Sequence, residues 1–329
     1  MRNRLVWILL ILLIVGIGLH YGLGLRMSRE DIHISARAEP LWCIGGERVG
    51  EACSAGIPFT NSLLMTVLVD LLLLLVIIFG ARNMQLVPRG FQNIVETVVE
   101  GFYNFALGID RRNIAKFFPL PATIFIFFLV ANMIALLPGI GSVGLCVPAG
   151  PEAGASAPAA GASPSIFSGL PGYCGAGNIL IPFLRAPAAD LNVTFAFALV
   201  AVFMVEYFGV QALGLSYFTR FFNLKEGALG LFVGIIELIS EISRIISFAF
   251  RIFGNIFGGE VILIVMSFLL GYLLPLPFYG FELFVAFIQS VIFAVLTLVF
   301  MSIAVVAHGG HDEHAPETTA HAETQINPA

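Results

Sequence analysis

Seven polar residues recur along one otherwise apolar stretch of this chain: Glu237, Ser240, Glu241, Arg244, Ser247, Arg251 and Asn255. Their spacings of three, one, three, three, four and four keep them on one broad stripe of a helix. Arg251 is set deepest, with Phe248, Phe250, Ile252 and Phe253 around it. A guanidinium does not deprotonate in a protein, and a charge at the centre of a bilayer costs about 2.5–3.5 kcal/mol even on the lenient insertion scale. Two kinds of chemistry would justify it. One is a structural ion pair with a carboxylate inside the bundle. The other is a permanent cation held in the membrane to meet a mobile anion.

The neighbouring acids bear on that choice. Glu237 precedes Arg251 by 14 positions, about 21 Å along a helix, and Glu260 follows it by nine, about 13 Å on and on the opposite face. Downstream, Glu282 and Gln289 are seven apart, two turns along one face. Ionisable groups therefore flank a central cation at different depths. A single continuous pore would need them aligned on one face, so the spacing points to two offset half-channels separated by Arg251.

These residues must be positioned by membrane helices. Of the 329 residues, 58% are hydrophobic and 11% charged, and the mean hydropathy is +0.95. Soluble domains carry roughly 25% charged residues. Only two lysines occur, Lys116 and Lys225, which argues against nucleic-acid binding. Apolar runs long enough for roughly 30 Å of hydrocarbon lie at residues 5–25, 59–80, 117–137, 191–215, 229–271 and 278–307. Runs this continuous exclude a transmembrane barrel, whose segments alternate over about 10 residues. The expected fold is an all-α integral membrane protein with about six membrane helices. The 229–271 run contains no proline and would extend roughly 60 Å as one helix, so it must tilt steeply or lie partly along the bilayer. It and the next run are expected to be long, strongly tilted and packed as a hairpin.

Positive charge orients the chain. Arg2 and Arg4, then Arg82, Arg89, Arg111, Arg112 and Lys116, then Arg220 and Lys225 mark cytoplasmic stretches, placing both termini inside. Arg26, Arg29, Arg37 and Arg48 run against the rule, because residues 26–58 must lie outside. The chain divides into an N-terminal anchor or signal-like segment (1–26), an exoplasmic segment bearing Cys43 and Cys53 (27–58), a membrane domain (59–307) and a polar cytoplasmic tail (308–329). The first run is read as an uncleaved anchor, because Ala36-Arg37-Ala38 lies too far beyond it to serve as a cleavage site. All four cysteines fall in the two outer loops, where disulfides are permitted. Cys146 with Cys174 is the preferred pair and Cys43 with Cys53 the next, with free thiols as the alternative.

Within the cytoplasmic connection 82–116, Phe91, Ile94, Val95, Val98, Val99, Phe102 and Phe105 recur at three- and four-residue spacing, which predicts an amphipathic helix at the interface or docked on the bundle. The exoplasmic loop 138–189 is rich in Ala, Gly, Pro and Ser, a composition that cannot bury a core. His308, His311, His314 and His321 in the tail read as a solvated terminus rather than a metal site.

The stretch Ser247-Phe248-Ala249-Phe250-Arg251-Ile252-Phe253-Gly254-Asn255, continuing to Gly259-Glu260, resembles the S-x-x-x-R-x-F-G-N-x-x-x-G-E pattern of the a subunits of F-type ATP synthases. Pro187-Ala188-Ala189-Asp190-Leu191-Asn192-Val193-Thr194 and Gln289 within Phe287-Ile288-Gln289-Ser290 are further matches, and the resemblance covers roughly residues 59–307. It implies a proton-translocating stator subunit of the membrane sector, multi-pass in the bacterial inner (plasma) membrane, working beside a c-subunit ring and a b-subunit peripheral stalk. Arg251 would attract the deprotonated carboxylate of each passing c subunit and block direct leakage. Asn255 and Gln289 would line that site. Glu237 would belong to the cytoplasmic half-channel, and Glu260, Glu282, Asp190 and Asn192 to the exoplasmic one. Two departures stand out: Ile246 occupies a position before Ser247 where many relatives have proline, and Glu282 stands where relatives often have histidine. No Gly-rich loop with Lys-Ser/Thr occurs, so no nucleotide, metal or other cofactor is expected and the chain would not itself make ATP. A secondary transporter using Glu237, Glu260 and Glu282 is the main rival, but such folds show internal repeats and broken helices, and the sequence shows neither.

Overall fold

A computed structural model describes residues 34–45, 48–49, 52–53, 56–81, 90–137, 140–148, 178–221, 228–270 and 275–306. The expected first span at 5–25, the pairing of Cys146 with Cys174 and the His-bearing tail lie outside the described residues or side chains.

The helices are α1 (Asn61–Ala81), α2 (Phe91–Leu107), the single turn α3 (Ile114–Phe117), α4 (Pro119–Ala135), α5 (Leu191–Leu213), α6 (Ala228–Leu270) and α7 (Pro275–Ala304). Three of them are long and apolar enough to cross a membrane, at Asn61–Gly80, Leu191–Leu213 and Pro275–Ala304. α4 is apolar over 17 residues, about 25 Å of helix. α6 runs 43 residues, about 64 Å, in agreement with the uninterrupted helix expected there. α7 begins earlier than its apolar run, on Pro275-Leu276-Pro277. Proline is tolerated in a first turn because the missing N–H would have no helical acceptor there.

The helices form a mostly helical membrane bundle, and three short antiparallel hairpins decorate one end of it. β1 (Pro40–Ile44) pairs with β4 (Ile57–Thr60), β2 (Arg48–Val49) with β3 (Ala52–Cys53), and β5 (Gly144–Pro148) with β6 (Asn178–Pro182). Cys43 and Cys53 form a disulfide that joins the first two hairpins, one of the pairings expected from the sequence. Trp42 stacks on Phe59 across the β1–β4 pair at 4.3 Å.

Lipid tails are as apolar as leucine, so helix association in a membrane rests on close packing rather than on burial from water. The core accordingly contains fully buried small residues on four helices: Ala131, Ala198, Ala201, Ala249, Ala286 and Ala294. Between them aromatic rings interlock, with Phe128 touching both Phe197 (4.8 Å) and Phe293 (5.6 Å), and Phe293 also meeting Phe248 (5.1 Å). α6 and α7 pack antiparallel: Arg244 lies over Phe300, Phe248 meets Phe293, Asn255 meets Gln289, and Gly259 meets Glu282. These four contacts follow one another in opposite order along the two helices.

Among the described side chains of the amphipathic helix α2, the buried ones lie in its C-terminal half. Phe102 and Ala106 are buried, with Phe102 stacked on Phe125 at 4.7 Å, whereas Ile94 remains 62% exposed. The link after α2 is tied to the last turns of α7 by Asp110. Its Oδ2 accepts from Ser302 Oγ at 2.7 Å, and its Oδ1 accepts from the backbone N–H groups of Arg112 and Asn113. Partial burial works to raise the Asp110 carboxyl, but the hydrogen bonds from Ser302, Asn113 and Arg112 outweigh it and hold the group below the usual carboxylate value.

Candidate functional site

The centre of the candidate site is where α6 crosses α7. Asn255 Nδ2 donates to Gln289 Oε1 at 2.7 Å, a direct bridge between the two helices. Gln289 is 3% exposed. One turn before Asn255 on α6, Arg251 donates from Nη2 to Ser247 Oγ at 3.4 Å, and its guanidinium lies 6.0 Å from the Phe248 ring centre. Among the described residues no carboxylate lies within ion-pair distance of Arg251. On the side of α6 that carries Arg251, Ser247, Gly254 and Asn255 are all exposed, so that side is open, small and polar. The structural ion pair considered for Arg251 is therefore not formed within the described chain. A different arginine of the stripe is paired: Arg244 Nη1 donates to both carboxylate oxygens of Glu241, at 2.9 and 2.6 Å.

A second polar cluster lies at the hairpin end of the bundle. Glu260, on α6, accepts from Arg185 Nε (3.3 Å) and Nη2 (3.2 Å). Arg185 precedes the Pro187–Ala189 turn and is itself buried. The rest of its fork is used by backbone: Nη2 donates to Ser35 O at 2.6 Å and Nη1 to Arg37 O at 3.1 Å. A planar guanidinium with several donors in fixed directions suits such a three-way junction. Glu282, buried on α7, lies with its carboxylate directly against Gly259; a Cβ built there would overlap it. That close approach requires glycine, and it puts Glu282 within electrostatic reach of Glu260.

Asp190 belongs to the same end but is held by the fold. Its side chain caps α5 by accepting from Asn192 N at 3.0 Å, and its other oxygen accepts from Ser62 Oγ at 2.6 Å. Carboxylates favour this position because they satisfy otherwise unbonded helix N–H groups. Next to Ser62, Asn61 reaches the buried Glu39: Asn61 Nδ2 donates to Glu39 Oε2 at 3.3 Å, and Glu39 N donates to Asn61 Oδ1 at 3.2 Å.

The eight residues singled out in the sequence thus fall into separate groups. Asn255 and Gln289 meet, with Arg251 one turn away. Glu260, Glu282 and Asp190 share the hairpin end. Asn192 is exposed and contributes its backbone N–H to the cap. Glu237 stands half-buried on the far arm of α6, away from both groups. Sequence reasoning missed Arg185 and Glu39. Arg185 carried a signal, as a lone cation two residues before the Pro187–Thr194 motif. Glu39 carried none, since its burial depends on a contact with Asn61 that local spacing does not encode.

The chain is similar to known proteins over most of its length. The profile of the family described as ATP synthase A chain matches residues 63–302. An ATP synthase subunit a from Campylobacter jejuni subsp. doylei is 32% identical over 250 residues, covering 74% of this chain and 89% of that protein. The subunit a of Campylobacter fetus subsp. fetus is 30% identical over 255 residues (76% and 92%), and that of Helicobacter hepaticus 29% over 247 residues (75% and 90%). A matched region that holds Arg185, Arg251, Asn255, Glu260, Glu282 and Gln289, on a multi-pass bundle whose last two helices carry the motif, identifies the chain as a member of the ATP synthase subunit a family, a membrane component of the F-type ATP synthase.

Proposed function

We propose that this chain carries protons past a rotating ring of c subunits, through two half-channels offset across the membrane and separated by Arg251. The observation that carries the reading is the state of Arg251: a permanent cation with no carboxylate partner among the described residues, on an open face of α6 beside the exposed Ser247, Gly254 and Asn255. A fixed positive charge in low dielectric attracts an arriving carboxylate strongly and favours its ionised form. The ring carboxylate would release its proton on reaching Arg251, and the same charge would repel a proton crossing directly between the half-channels. Net passage then requires the ring to turn.

Each remaining residue takes a part by position. Asn255 and Gln289 line the surface next to Arg251 and hold α6 on α7. Glu237 serves the cytoplasmic half-channel, while Glu260, Glu282, Asp190 and Asn192 serve the exoplasmic one. Asp190 contributes mainly by fixing the start of α5. The partners are the c ring and the b-subunit peripheral stalk, in the plasma membrane of a bacterial cell.

The test is ATP-driven acidification of inverted membrane vesicles containing the whole complex, wild type against Arg251→Ala at matched content. Acidification should vanish while the complex stays assembled. Normal acidification by the variant would sink the half-channel reading and make Arg251 a structural cation.

A further inference from the structure

The family match begins at residue 63, yet the preceding segment inserts a buried carboxylate into the polar cluster at the hairpin end. Glu39 is 5% exposed. It is held by a reciprocal clasp with Asn61, whose backbone N–H also donates to Glu39 O at 3.0 Å. The same segment is gripped a few residues earlier, where Arg185 donates to the carbonyls of Ser35 and Arg37. Since Arg185 simultaneously binds Glu260, one guanidinium joins the N-terminal segment to helix α6 of the bundle. Glu39 and Glu260 are close enough for their charges to interact, as are Glu260 and Glu282.

We propose that Glu39 is an additional proton-carrying group, delivered by the segment 34–60 to the entrance of the exoplasmic half-channel. The proposal rests on the half-channel reading above. Its physical basis is the convergence of three carboxyl groups from three separate elements at one end of the bundle, Glu39 and Glu282 buried and Glu260 a third exposed. Among the described residues, the other charged groups at this end are Arg185, Glu260 and Glu282, with Asp190 behind Ser62 and the exposed Arg37 outside. At neutral pH a carboxylate exchanges a proton readily, whereas the amide of Asn61 and the hydroxyl of Ser62 do not. During synthesis Glu39 would take a proton from outer water and pass it toward Glu260 and Glu282, returning to its anion. The clasp itself asks only for a hydrogen-bond acceptor, which an amide oxygen also provides, so clasp and proton transfer can be separated by substitution.

The experiment compares Glu39→Gln, Glu39→Asp and Arg251→Ala in the intact complex, reading ATP-driven acidification and acid–base-driven ATP synthesis at matched complex content. Glu39→Gln keeps the clasp and should slow both about tenfold. That is less than the ~10²–10⁴-fold effect of a sole proton-transfer group, because Glu260 and Glu282 remain. Glu39→Asp should recover most of the rate. Wild-type rates for Glu39→Gln beside an inactive Arg251→Ala would overturn this proposal and leave the half-channels standing. Equal slowing in Gln and Asp variants, or failure of both to assemble, would make Glu39 a purely structural residue. Normal pumping by Arg251→Ala would instead remove the reading on which the proposal rests.

Discussion

Arg244 and Arg251 lie two turns apart on one stripe of one helix, yet their surroundings differ. Arg244 bonds both oxygens of the buried Glu241 and lies 4.1 Å over the Phe300 ring. Its charge is neutralised within the chain, and its flat face is packed against α7. Arg251 has a long hydroxyl contact and a distant ring, with no carboxylate beside it among the described residues. Spacing alone makes the two look equivalent. Pairing separates a cation that holds the hairpin together from one whose charge remains available to something outside the chain.

The two arginines should therefore fail in different ways. The largest functional effect belongs to Arg251→Ala, which should abolish coupled proton pumping at normal complex content. Arg244→Ala should do the reverse. Removing one partner of a buried pair costs about 3–5 kcal/mol, so the amount of assembled, heat-resistant complex should fall while each surviving complex still pumps. Loss of pumping per complex in Arg244→Ala would break the distinction. A smaller effect is expected from Gly259→Ala. The added Cβ must push aside the Glu282 carboxylate, which sits at the end of a flexible side chain, so assembly should survive while the pumping rate drops; an unchanged rate would remove Glu282 from the proton path. The smallest effect is Asn255→Ala, which deletes one interhelical hydrogen bond worth about 1 kcal/mol. It should lower the denaturation midpoint of the purified complex slightly and leave assembly intact.

How much of this was legible in the sequence depended on the range of the forces involved. α6 was readable almost to the residue, because 43 proline-free positions leave a single regular solution. The start of α7 was not, since Pro275 and Pro277 look like a turn until their place in a first helical turn is known. The hairpins escaped because their strands are two to five residues long and β5 finds its partner β6 across a loop of low-complexity sequence. At the site, the Arg251, Asn255 and Gln289 grouping followed from a motif and helical spacing. The Arg185–Glu260 pair joins residues 75 positions apart, and no periodicity in a single sequence reports such a contact.

The grip of Arg185 on the N-terminal segment has an evolutionary corollary. Both atoms it seizes there, Ser35 O and Arg37 O, are carbonyl oxygens, which every amino acid supplies. The side chains at 35 and 37 are thus free to drift without loosening the attachment, while position 185 has no such latitude, since lysine cannot reproduce a planar fork that reaches three acceptors at once. A lineage could rewrite most of this segment and keep it seated, provided the one receiving arginine stayed in place.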